Sequence, residues 1–225
     1  MASSGEQRRA RIAAAQLYLV CDSDGDGRDL ASFLDAALRG GVDVIQLRDK
    51  RGDDDLLLRT APVFRAAADA HDALFILNDR PELVATTQAD GVHVGQDDAP
   101  VAVARATVGS ERLVGLSTHT RDQVDGATAV GAEGTIDYFA VGPVHATPTK
   151  PGRPAVGTEL IAEAAEAPRP VPWFAIGGLD HANVAAVTAV GATRIVVVRA
   201  VTQAPDVEAA TRALRRALEA GIAAA

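Results

Sequence analysis

Eight short apolar runs, separated by roughly 25 residues, are the feature of this sequence that most restricts its fold. Each run has the length of a buried strand, and each is followed by a segment whose apolar residues recur at helical spacing. Regular alternation of strands and helices predicts parallel strands joined by helical crossovers. The predicted strands are 17–22, 42–47, 74–78, 91–94, 113–117, 136–141, 172–176 and 194–198.

Eight strand–helix units are the content of a closed (β/α)8 barrel of about 200–250 residues. We therefore predict an α/β protein with a single TIM-barrel domain over 1–225, in which 1–16 is a lead-in segment and 17–220 is the barrel. An open doubly wound sheet is the alternative, but the sequence lacks both the GxGxxG fingerprint and the P-loop pattern. The predicted helices are 30–38, 56–71, a short one after Pro81, 101–107, 121–130, 159–166, one beginning near Asp180, and 206–219.

The charge balance argues against a general binder of polyanions. The chain has 22 basic and 30 acidic residues, a net charge of −8, which disfavours binding to nucleic acid or to a membrane surface. Its single cysteine, Cys21, excludes an internal disulfide and a cysteine-based zinc site. No apolar run approaches the roughly 18 residues of a membrane span, and residues 1–16 lack the apolar region of a secretory signal. We expect a cytoplasmic protein with a frayed N-terminal helix; a homo-oligomer is compatible with this composition.

Polar residues follow several predicted strands at the point where each strand ends, which is where barrels carry their active groups. Strand two ends in Gln46, Arg48 and Lys50, which share one face of an extended chain with Val42 and Val44. An amide and two cations above an apolar barrel core favour a phosphorylated small-molecule ligand. A solvated Arg/Lys pair is the alternative interpretation.

Two acidic residues, Asp79 and Asp98, follow strands three and four, close to these cations. Carboxylates beside phosphate oxygens are the usual surroundings of Mg²⁺, which keeps several waters and takes one or two protein ligands. The sequence therefore predicts a Mg²⁺ site. Either carboxylate could instead cap the following helix, for which Asp97 is the better candidate.

The loop 142–157, GPVHATPTKPGRPAVG, combines hydroxyls at Thr147 and Thr149 with cations at Lys150 and Arg153. Hydroxyls, cations and accessible backbone N–H groups suit phosphate. A solvated surface loop is the alternative. Gly177 and Gly178 end strand seven and permit close approach of an anion to the backbone, while Val198 and Arg199 end strand eight. Loops after strands seven and eight form the usual phosphate site of these barrels.

The remaining polar residues restrict the metal sites and reaction types that this sequence favours. Residues 22–27 match the start of a calcium-binding loop, but the closing Glu is replaced by Phe33, and we interpret the segment as a polar turn. The five histidines lack metal-ligand spacing, although His119 and His145 could face the mouth of the barrel. No nucleophile arrangement stands out. Two anion regions and one metal favour a reaction in which a diphosphate leaves and the protein positions groups and stabilises charge.

Six motifs, in unbroken order, give the chain a resemblance to the thiamine-phosphate synthase family over nearly its whole length. They are QLRDK (46–50), NDR (78–80), DGVHVGQDD (90–98), GLSTHT (115–120), GPVHATPTKPGRPAVG (142–157) and AIGG (175–178). The resemblance implies a TIM-barrel transferase that joins 4-amino-2-methyl-5-hydroxymethylpyrimidine diphosphate to a thiazole phosphate. The expected products are thiamine phosphate and pyrophosphate, formed by a dissociative, Mg²⁺-assisted substitution.

By the same resemblance, site roles fall on particular residues. Catalytic roles fall on Arg48, Lys50, Lys150 and Ser117, and Mg²⁺ binds Asp79 and Asp98. The pyrimidine diphosphate is held by Gln46, Arg48, Lys50, Asn78, Ser117 and Lys150. The thiazole phosphate, in which a carboxyl substituent is possible, is held by Thr147, Thr149, Gly177, Gly178, Val198 and Arg199.

The chain departs from the family pattern at two places. Arg199 follows Val198 where many members have a small hydroxyl residue, and His145-Ala146 replaces an aromatic-proline pair. Three other functions compete with the synthase: a thiazole tautomerase, a phosphate-binding epimerase or isomerase, and a regulatory barrel that binds without turnover. Retention of Arg48, Lys50, Asp79 and Asp98 together disfavours the tautomerase.

Overall fold

The computed structural model describes residues 3–25, 27–50, 53–147 and 154–225. Eight parallel strands form a closed barrel in sequence order, in which β1 pairs with both β2 and β8. This confirms the predicted (β/α)8 fold. The strands are β1 Leu17–Cys21, β2 Val44–Leu47, β3 Leu74–Asn78, β4 Gly91–Val94, β5 Leu113–Thr118, β6 Tyr138–Val141, β7 Trp173–Ile176 and β8 Ile195–Val197.

The helices lie outside the barrel, except for the first. They are α1 Gly5–Ala14, α2 Leu30–Arg39, α3 Asp54–Ala70, α4 Val84–Thr87, α5 Val101–Val108, α6 Arg121–Ala132, α7 Glu159–Ala165, α8 Val184–Thr188, α9 Arg199–Thr202 and α10 Val207–Ala224, with a 3-10 turn at Pro81–Leu83. Helix α8 begins four residues after Asp180 because the Asp180 carboxylate accepts the backbone N–H groups of Ala182 and Asn183 and holds a turn there. Helix α9 is absent from the predicted elements.

Helix α1 is not frayed, and that expectation is wrong. Ser4 and Gln7 form a capping box, with each side chain bonded to the backbone of the other residue. Arg8 and Ile12 are buried, and the Arg8 guanidinium lies 2.8 Å from the Asp90 carboxylate. The helix therefore packs across the N-terminal end of the barrel.

A carboxylate precedes each of the strands β2, β4 and β6 and binds the start of the strand before it. Asp43, Asp90 and Asp137 accept backbone N–H groups from Leu17, Phe75 and Val114, respectively, at 2.8–3.0 Å. Each carboxylate also pairs with arginine: Arg215 for Asp43, Arg8 and Arg65 for Asp90, and Arg105 for Asp137. These contacts fix the end of the barrel that lies opposite the predicted site.

Two apolar layers form the core. The larger layer lies between the strands and the surrounding helices, and it includes Val42. Val42 precedes β2, whereas Val44 faces the barrel interior, so the prediction that the two share one face is wrong. The smaller layer fills the barrel interior with side chains from alternate strand positions, including Tyr18, Val44, Tyr138 and Phe174. No helix in the described part of the chain is long and apolar enough to cross a membrane.

Candidate active site

A cavity of about 330 Å³ opens at the C-terminal ends of the strands, above the apolar interior. The structure brings most of the residues expected there into its lining. Those residues are Gln46, Arg48, Lys50, Asn78, Asp79, Asp98, Ser117, Thr147, Gly177, Gly178, Val198 and Arg199. Thr149, Lys150 and Arg153 lie outside the described residues.

Strand β2 directs three polar side chains to the cavity, as the period of an extended chain requires. Gln46 is buried, Arg48 is half-buried and Lys50 is exposed. Burial lowers the pKa of Arg48, while the carboxylates of Asp79 and Asp98 act in the opposite direction. The three polar groups therefore lie at different depths. The Gln46 amide is deepest, the Arg48 guanidinium lies above it, and the Lys50 ammonium group is at the mouth.

The carboxyl groups of Asp79 and Asp98 are close enough to affect each other's ionisation. Burial and this neighbour raise the pKa of Asp79 to about 6, against the opposing effect of Lys50 and Arg48. The backbone of Asp79 is left-handed, with a φ of 61°, and its N–H group donates to the His93 carbonyl at 2.9 Å. The turn that holds Asp79 is thereby fixed by the neighbouring strand β4.

Asp98 closes its own turn by accepting the Gly95 N–H group at 2.8 Å. The interpretation of Asp97 as a helix cap is wrong, because the N-cap of α5 is Pro100 and no side chain caps it. Two carboxyls in contact either share a proton or hold a cation between them. No group of three or more possible metal ligands occurs among residues 3–25, 27–50, 53–147 and 154–225. A pair of carboxylates is nevertheless sufficient for Mg²⁺, which takes one or two from the protein.

The paired glycines after β7 serve a contact within the chain. A Cβ atom on Gly177 would lie 2.4 Å from the Cα of Pro143, and one on Gly178 would lie 2.8 Å from the Cβ of His145. Both glycines have positive φ, at 113° and 65°. Their backbone freedom therefore lets the loop after β7 pack against the loop after β6, which carries Thr147.

Hydrogen bonds join the same two loops. The N–H groups of Val144 and His145 donate to the carbonyls of Ile176 and Gly177 at 2.8 and 3.0 Å. His119, expected as a possible mouth residue, lines the cavity and bonds the Gly142 carbonyl through Nδ1. His145 is exposed and is not among the lining residues. The His119 side chain thus supports the loop after β6.

Strand β8 ends earlier than predicted, and Arg199 begins the short helix α9. The first N–H groups of a helix have no partner within it, so the backbone at Arg199 and Ala200 offers donors to the cavity that both residues line. The Arg199 side chain is exposed. The structure thus places a guanidinium and backbone donors on one side of the mouth.

Three buried residues, of which His93 lines the cavity and Tyr18 and Tyr138 lie beneath it, were not singled out in the sequence. The Gln46 amide donates to the Tyr18 hydroxyl at 2.7 Å, and the hydroxyls of Tyr18 and Tyr138 are 3.0 Å apart. His93 lies 3.2 Å from the Tyr138 hydroxyl through Nδ1 and 2.9 Å from the Ser117 hydroxyl through Nε2. Inward-facing positions of β1, β4 and β6 were the signal that could have identified them, because a polar side chain there must be satisfied inside the barrel.

The sequence of this chain is similar to those of many known proteins. The family described as thiamine monophosphate synthase matches residues 17–201. A thiamine-phosphate synthase of Arthrobacter sp. (strain FB24) is 48% identical over 233 residues, covering 95% of this chain and 98% of the relative. One from Thermobifida fusca (strain YX) is 48% identical over 219 residues, covering 97% and 99%.

Solved structures agree with this grouping. A thiamine phosphate pyrophosphorylase from Pyrococcus furiosus superimposes with a TM-score of 0.81 at 28% identity, covering 95% of this chain and 98% of the other. A 3-hexulose-6-phosphate synthase, at 21% identity and a TM-score of 0.63 over 90% of this chain and 99% of the other, shares the fold.

Proposed function

This chain belongs to the thiamine monophosphate synthase family, and we propose that it is the transferase that makes thiamine phosphate and pyrophosphate. Its substrates are 4-amino-2-methyl-5-hydroxymethylpyrimidine diphosphate and 4-methyl-5-(2-phosphoethyl)thiazole. A thiazole phosphate that carries a carboxyl group would also release CO2. The observation that carries the proposal is the juxtaposition of Arg48 and Lys50 with the Asp79–Asp98 pair in one cavity.

The diphosphate binds on the β2 and β3 side of the cavity. Arg48 offers a planar guanidinium suited to two phosphate oxygens, and Lys50 adds a mobile charge at the mouth. Asn78 lies on β3, in register with His93 of β4. Gln46 and Ser117 lie deeper and bind the pyrimidine ring, and Lys150 completes the set by family resemblance.

The carboxyls of Asp79 and Asp98 would hold Mg²⁺. Their contact and the raised pKa of Asp79 fit this assignment, because a cation between them removes the repulsion that otherwise favours protonation. When bound, Mg²⁺ would neutralise charge on the diphosphate. Lys50, whose Nζ atom lies 4.0 Å from the Asp79 carboxylate, would add its own charge to that neutralisation.

The thiazole phosphate binds on the opposite side, between the loop after β6 and the loops after β7 and β8. Thr147 supplies a hydroxyl, with Thr149 assigned by resemblance. Gly177 and Gly178 bring backbone close to the ligand, while Val198 and Arg199 form the start of α9, where N–H donors collect. The Arg199 guanidinium adds a positive charge where a small hydroxyl residue is usual.

The chemistry requires charge stabilisation and alignment of two substrates. The bond from the pyrimidine methylene carbon to the diphosphate oxygen breaks, and its electron pair leaves with pyrophosphate. The thiazole nitrogen then donates its pair to that carbon. Arg48, Lys50 and Lys150 stabilise the developing negative charge, and the two binding regions hold the reacting atoms in line. No side chain acts as a nucleophile in this scheme.

The decisive experiment measures pyrophosphate release with both substrates and Mg²⁺, and again with each of the three omitted. We expect release when all three are present and none when either substrate is missing. Thiazole-phosphate binding without release under any condition would contradict the proposal and favour a tautomerase or a binding barrel.

The metal assignment has a separate test that does not depend on turnover. Mg²⁺ binding is measured by titration calorimetry in the presence of inorganic pyrophosphate. We expect Asp98→Asn to weaken binding at least tenfold, and the exposed neighbour Asp97→Asn to leave it within about twofold. Equal binding by wild type and Asp98→Asn would remove Asp98 from the site.

A further inference from the structure

A continuous chain of hydrogen bonds joins Gln46 to Ser117 across the floor of the cavity. It passes from Gln46 to Tyr18, Tyr138, His93 and Ser117 in four contacts of 2.7, 3.0, 3.2 and 2.9 Å. Gln46, His93 and Ser117 line the cavity, whereas the two tyrosines lie in the barrel interior below it. All five side chains are buried.

The tyrosines form a rigid centre for this chain. Their ring centroids are 6.1 Å apart, and each meets the Phe174 ring edge to face, at 5.6 and 5.9 Å. Gly115 makes room for Tyr138, since a Cβ atom there would lie 2.2 Å from the end of its ring. Burial raises the pKa of both phenols, so each keeps one hydrogen to donate.

With the Gln46 amide nitrogen towards Tyr18, donor counting gives the direction of the hydrogen-bond chain. The Tyr18 oxygen accepts the Gln46 N–H group, and among the described residues its own hydrogen has Tyr138 as the acceptor within reach. Tyr138 then donates to His93 Nδ1, which leaves Nε2 of His93 as the donor to Ser117. Reversing only the tyrosine pair would leave a buried Tyr18 hydrogen without an acceptor, which is unfavourable.

In this direction the two ends of the chain have complementary characters. Gln46 donates to Tyr18 through its amide nitrogen, which leaves its carbonyl oxygen as a hydrogen-bond acceptor for a ligand in the cavity. Ser117 accepts from His93 and keeps its own hydrogen for the cavity, where it donates. An acceptor and a donor at these places match the exocyclic amino group and a ring nitrogen of an aminopyrimidine.

We propose that Tyr18, Tyr138 and His93 are positioning residues for the pyrimidine ring, which set Gln46 as an acceptor and Ser117 as a donor. The inference rests on the proposed function for the identity of the ring. It assigns the three residues no contact with the reacting atoms. They act through the orientation of the two side chains that meet the ring.

The direction of the chain is tested in the wild-type protein by nitrogen NMR of labelled histidine, with His93 identified by the signal lost in His93→Gln. We expect Nε2 of His93 to carry the hydrogen and Nδ1 to lack it. A hydrogen on Nδ1 would mean that every bond runs the other way and that Ser117 presents an acceptor, which would overturn the proposal.

The positioning role is tested by the kinetics of Tyr138→Phe, which removes one hydroxyl and retains the ring. We expect kcat/KM for the pyrimidine diphosphate to fall about tenfold, with KM for the thiazole phosphate within about twofold of wild type. Thr118→Val is the matched control, because it removes a buried hydroxyl that bonds the Ala140 carbonyl and does not line the cavity. This control should leave both constants near wild type.

A double variant tests whether the two tyrosines act through one hydrogen-bond chain or through two independent contacts. If the residues act as one chain, Tyr18→Phe combined with Tyr138→Phe should cost no more than the larger single change. Unchanged constants in a folded Tyr138→Phe, with active wild type, would overturn this inference alone. A wild type that forms no thiamine phosphate would overturn the proposed function. The position of the hydrogen on His93 would then still decide the direction of the hydrogen-bond chain.

Discussion

The carboxyl groups of Asp79 and Asp98 interact across two neighbouring loops of the barrel. The residues follow different strands, and each is held by a further hydrogen bond. The Asp79 N–H group donates to the His93 carbonyl, and the Gly95 N–H group donates to the Asp98 carboxylate. The fold thus forces two acidic groups together, and a proton or a cation relieves the repulsion between them.

The raised pKa of Asp79 makes the stability of the metal-free protein depend on pH. Its contribution is fully present below the unfolded pKa of about 3.9 and is lost as pH rises through about 6. We expect the difference in unfolding free energy between wild type and Asp79→Asn to fall across this window, by at most about 1.4 kcal/mol per pH unit. Urea unfolding with a chelator, at about pH 4, 5, 6 and 7, measures it.

Asn is the matched replacement at this position, because it tolerates the left-handed backbone that Asp79 adopts. Asp97→Asn serves as the control and should follow wild type. A wild-type advantage that grows from about pH 4 to pH 7 would contradict the assigned direction of the pKa shift.

Replacing Arg48 tests the shape of the diphosphate site as well as its charge. We expect Arg48→Ala to lower kcat/KM for pyrophosphate release about 100-fold or more. Arg48→Lys retains the charge but loses the planar fork, so it should remain at least about tenfold below wild type. Arg59→Ala, on the exposed face of α3, is the control. Full activity in Arg48→Lys would show that charge alone suffices.

Gly177→Ala should disturb the loops after β6 and β7 together. The new Cβ atom would meet the Pro143 Cα at 2.4 Å, and the positive φ of 113° is unfavourable for alanine. We expect a loss of about 1–3 kcal/mol in unfolding free energy, together with reduced activity. Differential scanning calorimetry measures the first effect.

Gly126→Ala in α6 is the control for this change, since no atom lies within 4 Å of the added Cβ. Alanine there should stabilise by about 0.5–1 kcal/mol. Equal effects at the two glycines would mean that the contact between the loops is easily displaced.

Asp90→Asn should destabilise the protein and spare its activity. Asp90 is buried, and Arg8 and Arg65 each approach its carboxylate to 2.8 Å. Burial opposes ionisation, but the Phe75 N–H group and Arg65 outweigh it and keep the pKa low. Removing the charge takes from the buried Arg8 the carboxylate that pairs with it and leaves Arg65 with the exposed Asp69, at a cost of about 3–5 kcal/mol. Chemical unfolding and the initial rate at 25 °C measure the two quantities.

Asp69→Asn removes a carboxylate that also pairs with Arg65 but is 68% exposed. The change in stability there should stay within about 1 kcal/mol. A comparable loss at Asp69 and Asp90 would contradict the special role of the buried pair.

The barrel was predictable because its signal is local and repeated. Strand period and helix period alternate along the chain, and polar residues stand at the strand ends, so topology alone brings Arg48, Asp79 and Ser117 to one opening. The residues that line the cavity therefore follow from position along the strand.

Other parts depend on contacts between distant residues and leave no local pattern. Helix α1 is held by the pairing of Arg8 with Asp90, which no window around either residue indicates. Gly177 lies too close to Pro143 to carry a Cβ atom, and this structural reason for a glycine adds to the predicted approach of a ligand. The hydrogen-bond chain from Gln46 to Ser117 needs five strands to assemble before its members meet.

Pairing of β1 with β8 has a consequence for how the protein is made. Leu17 lies beside Ile195, so the first strand keeps an open edge until almost the whole chain has left the ribosome. At about 5–20 residues per second the wait lasts roughly 10–35 s. An unpaired strand edge recruits other strands, and the newborn chain is therefore most prone to aggregation before its last strand emerges.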